Sequence, residues 1–119
     1  MKEQLNLLEI ANKAHSNAKR LGKLTNDRNA IEKLKDVQGE YMEALKALND
    51  GNHVDWIMFR DMMDKEGFEV AFRNCVKDTY EQELIDMFFV ILTLMKDNEM
   101  DIVAHVNMGL EYNRLRDVK

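Results

Sequence analysis

A chain of 119 residues with 45% apolar content can bury one modest core, so a single domain over 1–119 is expected and two independent ones are excluded. Its 22 acidic and 17 basic residues give a formal charge of −5, and apart from a local Lys19, Arg20 and Lys23 group the basic residues are scattered, which disfavours nucleic acid as a partner. Cys75, the one cysteine, excludes an intrachain disulfide, and the absence of a long apolar run or an apolar N-terminal signal predicts a soluble, cytoplasmic protein with no membrane partner.

Leu5, Leu8, Ala11, Ala14, Ala18 and Leu21 recur at helical spacing and predict a first helix over 3–21, with Gly22 as its stop. After the polar stretch KLTNDRN, Asn26 or Asp27 is the expected cap of a second helix through about Asn49. Its packed side is expected to carry Ile31, Leu34, Val37, Tyr41, Ala44, Leu45 and Leu48, and Asp50-Gly51-Asn52 ends it. A shorter helix is predicted over 55–64, and Gly67 separates it from another short piece through Cys75. Asp78 with Glu81, or Thr79 with Gln82, forms a capping-box signal for the main apolar helix, Thr79 to about Lys96. Asn98 is expected to cap the last helix, with Asp101 in its first turn and Ile102, Val106, Leu110 and Leu115 packed. These elements predict an all-α bundle with short connections and two long central helices. Because the helix over 79–96 is apolar on nearly all sides, a homo-oligomer is expected to cover it.

Two acidic pairs interrupt the long helices: Glu40 and Glu43 in GEYMEALKAL, and Glu83 and Asp86 in YEQELIDMFFVILTLM. Residues three apart share a helix face, so each pair can present two carboxylates to one point. Asp86 stands among Ile85, Met87, Phe88, Phe89, Val90, Ile91 and Leu92, where an isolated carboxylate is strongly desolvated or takes up a proton. Four converging carboxylates call for cations, and oxygen-only ligation selects Mg²⁺ or Mn²⁺ over iron or zinc. None of His15, His53 or His105 lies three residues after one of these acids, as a Glu-x-x-His di-iron site requires. The competing explanation is ion pairing with Lys33, Lys35, Lys46 or Arg73, although one lysine does not satisfy four carboxylates. His15 reads as a polar residue on a helix face, His105 as a core-edge residue, and His53 as a turn residue without a signal. Trp56, Phe59 and Met63 read as core or oligomer contacts rather than a base-stacking platform. Cys75 reads as a small half-buried filler.

The last helix adds EYNRLRDVK to a protein otherwise short of clustered positive charge. Asn113 and Arg116 are three apart and can face one ligand together, an amide to orient it and a guanidinium to hold phosphate oxygens. The same basic residues also complement a helix dipole.

The ordered set E40-YM-E43 and E83-LI-D86 resembles the MazG-like branch of the all-α nucleoside triphosphate pyrophosphohydrolases, whose sign is Glu-x-x-Glu on one helix and Glu-x-x-Asp on a later one. AHSNAKRLG, GEYMEALKAL, KDTYEQELIDMFFVILTL and YNRLR are similar to that family's text, so the resemblance runs from Ala14 to Arg116. It implies a MazG-like antiparallel bundle, a homodimer or homotetramer, that cleaves a nucleoside triphosphate or related nucleotide between its α- and β-phosphates. Glu40, Glu43, Glu83 and Asp86 would then hold Mg²⁺, or Mn²⁺, with Glu40 assisting the attacking water. Asn113 and Arg116 match the terminal Y-N-x-x-R element and would contact substrate.

Two features depart from the family pattern. Gly109 stands where many relatives have a lysine three residues before the tyrosine, with Arg114, Lys77 or Lys19 as possible substitutes, and a long insert separates Glu43 from Glu83. The missing charge, together with the apolar run Trp56-Ile57-Met58-Phe59, motivates an alternative expectation. In that alternative the chain is a non-catalytic helical module on the same fold, binding a nucleotide or another protein.

Overall fold

The computed structural model describes residues 4–23 and 29–116, and among these the regular elements are six α-helices with no strand. In chain order they are α1 (Leu7–Arg20), α2 (Ala30–Asn49), α3 (Trp56–Glu66), α4 (Phe68–Cys75), α5 (Tyr80–Asp97) and α6 (Ile102–Leu115). The all-α architecture is as expected from the periodicity. Among the described residues no helix is long and apolar enough to cross a membrane.

The helix ends follow from side chains that satisfy backbone groups left without partners. Asn6, Asn29, Asp55 and Asp101 each accept a hydrogen bond from the N–H three residues on, at Glu9, Glu32, Met58 and Ala104. Two of these starts correct the sequence expectation. Asn29 caps α2, whereas the expected Asn26 and Asp27 lie outside the described residues. Asp101 caps α6 because Asn98 is taken up in the stop of α5, where Glu99 adopts φ 56° and Met100 N–H reaches back to Met95 O at 3.1 Å. At the start of α5, Asp78 has φ 66° and leaves capping to Thr79, whose Oγ1 accepts from Gln82 N–H at 3.3 Å.

Backbone packing divides the chain into two compact units, and α5 contributes residues to both. One unit holds described residues 4–23 and 91–116. Its buried cluster is Ala11, Leu92 and Ile102, with Leu7, Ile10 and Met95 packed against it. Two alanines, Ala11 and Ala14, form the buried line of α1. The expected Leu5, Leu8 and Leu21 stay exposed, as do Val106, Leu110 and Leu115 of α6. Leu8 lies about 60° around the helix from Ala11, so a face built on small side chains leaves the larger one at its edge.

The other unit holds described residues 29–90. Ala44, Ala47, Ala71, Cys75, Val76, Thr79 and Glu83 are its buried residues. The inward line of α2 is Val37, Glu40, Ala44 and Ala47, one residue, or about 100°, away from the larger side chains Tyr41, Leu45 and Leu48. Those three, with Ile31 and Leu34, are exposed, contrary to the packed side read from the periodicity. The physical reason is that Ala44 and Ala47, the buried residues of α2, let it pack closely along a line of small side chains, which leaves the larger ones one position on at the edge and Glu43 exposed. α3 and α4 form a tight helical hairpin across Gly67 (φ 88°). A row of ring contacts, Trp56–Phe59, Phe59–Phe68 and Phe68–Phe72, runs along it with centroids 5.6, 6.4 and 5.6 Å apart. Cys75 is fully inside this unit rather than half-buried.

Candidate metal centre

Glu40 on the inward line of α2, the exposed Glu43 beside it and Glu83 in the first turn of α5 bring three carboxylates together. One oxygen each from Glu40, Glu43 and Glu83 falls within 4.8 Å of the others. Glu83 is the most desolvated of them, with a relative exposure of 4%. Its Oε2 is buried and has no hydrogen-bond partner among the described residues. Burial is the first cause that pushes the Glu83 carboxyl up to about 7, followed by its hydrogen bond with Glu43 and the charges of Glu43, Asp86 and Glu40. Every charge in that set is another carboxylate.

Asp86, one turn beyond Glu83, is not the buried anomaly that its apolar neighbours in sequence suggest. It is half-buried and accepts a hydrogen bond from Gln82 Nε2 at 3.2 Å, while its charge acts on Glu83. The residues around it, Leu84, Ile85, Phe88 and Phe89, are exposed. The desolvation therefore falls on Glu83, which meets Glu40 and Glu43 of α2.

Two of the four basic residues considered as counterions are engaged elsewhere. Lys46 Nζ pairs with Asp50 at 2.9 Å and Arg73 with Glu69 at 2.6 Å, both along their own helices. The donor set suits a hard divalent cation. Oxygens bound to one such ion at about 2.1–2.5 Å fall within about 4–5 Å of one another, the span found here. The buried oxygen of Glu83 would gain a partner, and the repulsion that opposes its ionisation would be offset by attraction to the ion.

His53 and Glu81, read from the sequence as a turn residue and a capping residue, instead pair with each other at the start of α5. His53 Nδ1 donates to Glu81 Oε2 at 2.7 Å, and Val54 N–H donates to Glu81 Oε1 at 2.8 Å. These bonds hold the Glu81 carboxyl below its ordinary range, the His53 bond being the larger cause. Glu81 is thus a tertiary acceptor rather than the closing residue of a capping box. No local signal marks this pair, because the partners are 28 positions apart.

Asn113 and Arg116 belong to the unit of residues 4–23 and 91–116, and both are exposed there. Asn113 lies in the last turn of α6, whereas Arg116 is already at its C-cap with extended backbone (ψ 139°), so the shared helical face expected for them ends before Arg116. Arg114 is held in a two-pronged ion pair by Glu111, at 2.6 and 3.1 Å, and its charge is spent locally. Around Gly109 a side-chain Cβ would meet nothing within 4 Å. His15 is half-buried on α1, and His105 is exposed on α6 rather than at a core edge.

Comparison of the chain with known protein families, with curated proteins and with solved structures found no match to any of them.

Proposed function

We propose that this chain is a Mg²⁺-dependent nucleoside triphosphate pyrophosphohydrolase of MazG-like type, acting in the cytoplasm as a homodimer or homotetramer. The observation that carries the reading is the meeting of Glu40, Glu43 and Glu83 from two helices, with Glu83 buried and its Oε2 without a hydrogen bond among the described residues. The order of the acids, E-x-x-E before E-x-x-D, supports the same class. Glu40, Glu43 and Glu83 would hold Mg²⁺ or Mn²⁺, with Asp86 adding negative charge from the next turn. A divalent ion bound there supplies charge neutralisation for phosphate oxygens and acidifies a coordinated water. Glu40, on the inward line of α2, would accept the proton of the attacking water, and no protein nucleophile would be required. The assignment of Asn113 and Arg116 to substrate rests on the sequence. Exposed apolar side chains on α2 (Tyr41, Leu45, Leu48) and α5 (Leu84, Ile85, Phe88, Phe89) support association with further copies.

The deciding experiment is incubation with each nucleoside triphosphate and Mg²⁺, followed by separation of products. A nucleoside monophosphate with pyrophosphate is the expected result; orthophosphate, or no turnover across the panel, overturns the proposal. A non-catalytic module is the second reading. It is favoured by Gly109 and by the capture of Arg114 by Glu111, which leaves the missing lysine charge unreplaced at that position.

A further inference from the structure

Helices α2 and α5 carry the clustered carboxylates, where like charges oppose close approach and a hydrogen bond links Glu83 to Glu43. Along the chain, α2 reaches α5 only through the α3–α4 hairpin. The segment just after α2 is nevertheless tied directly to the start of α5. Tyr80 N–H donates to Asn52 O at 2.8 Å, and Asn52 Nδ2 donates to Asp78 O at 2.9 Å. Both oxygens of Glu81 are then gripped, one by Val54 N–H at 2.8 Å and the other by His53 Nδ1 at 2.7 Å. The His53 ring also stands edge-on to Tyr80, with centroids 6.0 Å apart.

We propose that His53 and Glu81 form a positioning clasp for the carboxylate centre: by fastening the end of α2 to the first turn of α5, the clasp sets the register in which Glu43 meets Glu83. Neither residue is a ligand, and the effect on metal rests on the reading given above. The physical reason is the rigidity of the two helices. A helix rises about 1.5 Å per residue, so a slip of one residue between α2 and α5 shifts facing carboxylates by about 1.5 Å. Metal–oxygen distances tolerate only about 0.2 Å. Gly51, at φ 68° in the stop of α2, turns the chain so that Asn52 and His53 arrive at α5. The clasp therefore closes the α2–α5 pair while leaving the α3–α4 hairpin outside the connection.

The test compares the full chain with His53→Ala, His53→Gln and Glu81→Leu, using Mn²⁺ itself as probe and counting free Mn²⁺ by paramagnetic resonance. His53→Ala and Glu81→Leu are expected to weaken Mn²⁺ binding by about tenfold or more with unchanged helix content, as loss of an outer-shell partner does. His53→Gln, which keeps a donor for Glu81, should recover part of the loss. A second readout, amide hydrogen exchange on the metal-free proteins, separates this inference from the metal reading. Loss of protection in His53→Ala confined to the end of α2 and the first turns of α5, with α1 and α6 unchanged, supports the clasp. A parent chain that binds no Mn²⁺ ends the metal reading, and the exchange data then decide the clasp alone. Exchange equal to the parent's, or loss spread over all helices alike, overturns it, as does Mn²⁺ affinity in His53→Ala within about twofold of a binding parent.

Discussion

Glu83 and Leu92 stand on the same helix and are almost equally hidden, at 4% and 2% relative exposure, yet their surroundings differ in kind. Leu92 closes an apolar cluster with Ala11 and Ile102, where burial itself is the favourable term. Glu83 lies among Glu40, Glu43 and Asp86, where burial opposes ionisation and every charge acting on it repels. One half of α5 is therefore a source of stability and the other a stored cost. A divalent cation bound as proposed above would offset that cost.

Substitutions at the two positions should separate these roles. Glu83→Gln is expected to remove Mn²⁺ binding and to lower any nucleotide turnover by at least about 100-fold, while leaving the fold intact and making the metal-free protein more stable above pH 7. Asp86→Asn, one turn away, should weaken metal by about tenfold, a smaller step because Asp86 lies outside the close set of three oxygens. Equilibrium titration with Mn²⁺ and product analysis read both. A Glu83→Gln protein that keeps parental metal affinity would remove Glu83 from the centre.

Leu92→Ala should cost about 2–5 kcal/mol, measured by urea unfolding, because it leaves a cavity between α1 and α6. This is the reverse of the Glu83 result: loss of stability without a direct loss of ligand. If Leu92→Ala costs less than about 1 kcal/mol, the cluster around it contributes little and the contrast between the two halves fails.

The pH dependence of the metal-free protein follows from Glu83. Its carboxyl holds a proton up to about 7 in the folded chain and releases it near the ordinary value of 4.5 when unfolded. Between those values unfolding releases a proton, so the contribution of Glu83 to stability is greatest below 4.5, falls as pH rises, and is fully lost above about 7. The melting temperature in chelator should fall across that window. Mg²⁺ or Glu83→Gln should flatten the fall, and an unchanged slope in Glu83→Gln would assign the effect to other groups.

Smaller effects are expected where the backbone rather than the acid cluster is tuned. Gly109→Lys has open space for its side chain and should add up to about 1 kcal/mol of helix stability. If the missing charge limits catalysis, it should also raise kcat/KM for triphosphates; unchanged kinetics would show that position 109 does not act on substrate. Glu99→Gly relieves a left-handed residue at the stop of α5 and should gain about 0.5–1 kcal/mol in thermal unfolding.

The fold was legible wherever a single helix encodes its own limits. Helix-period apolar residues marked the helices, Gly22 and Gly51 sat at left-handed stops, and the acids at 40, 43 and 83 carried the pattern of a shared face. The errors arose where two elements compete for the same residue. Asn98 lost capping of α6 because the reversal at Glu99 had already claimed it, and Leu45 and Leu48 lost the inward face of α2 to Glu40, Ala44 and Ala47. His53 and Glu81 were illegible in principle. Their partnership is a distance in space, with no spacing rule to announce it.

By itself, then, the sequence determined an all-α chain and the acids that repeat every three residues, because helix geometry converts spacing into a shared face without reference to anything else. Only the tertiary structure decided which of those acids is buried, which two helices meet through them, and how their ends are fastened. Burial depends on what packs opposite a face, which spacing does not encode: Glu83 is buried, while Asp86, three residues on, is only half-buried.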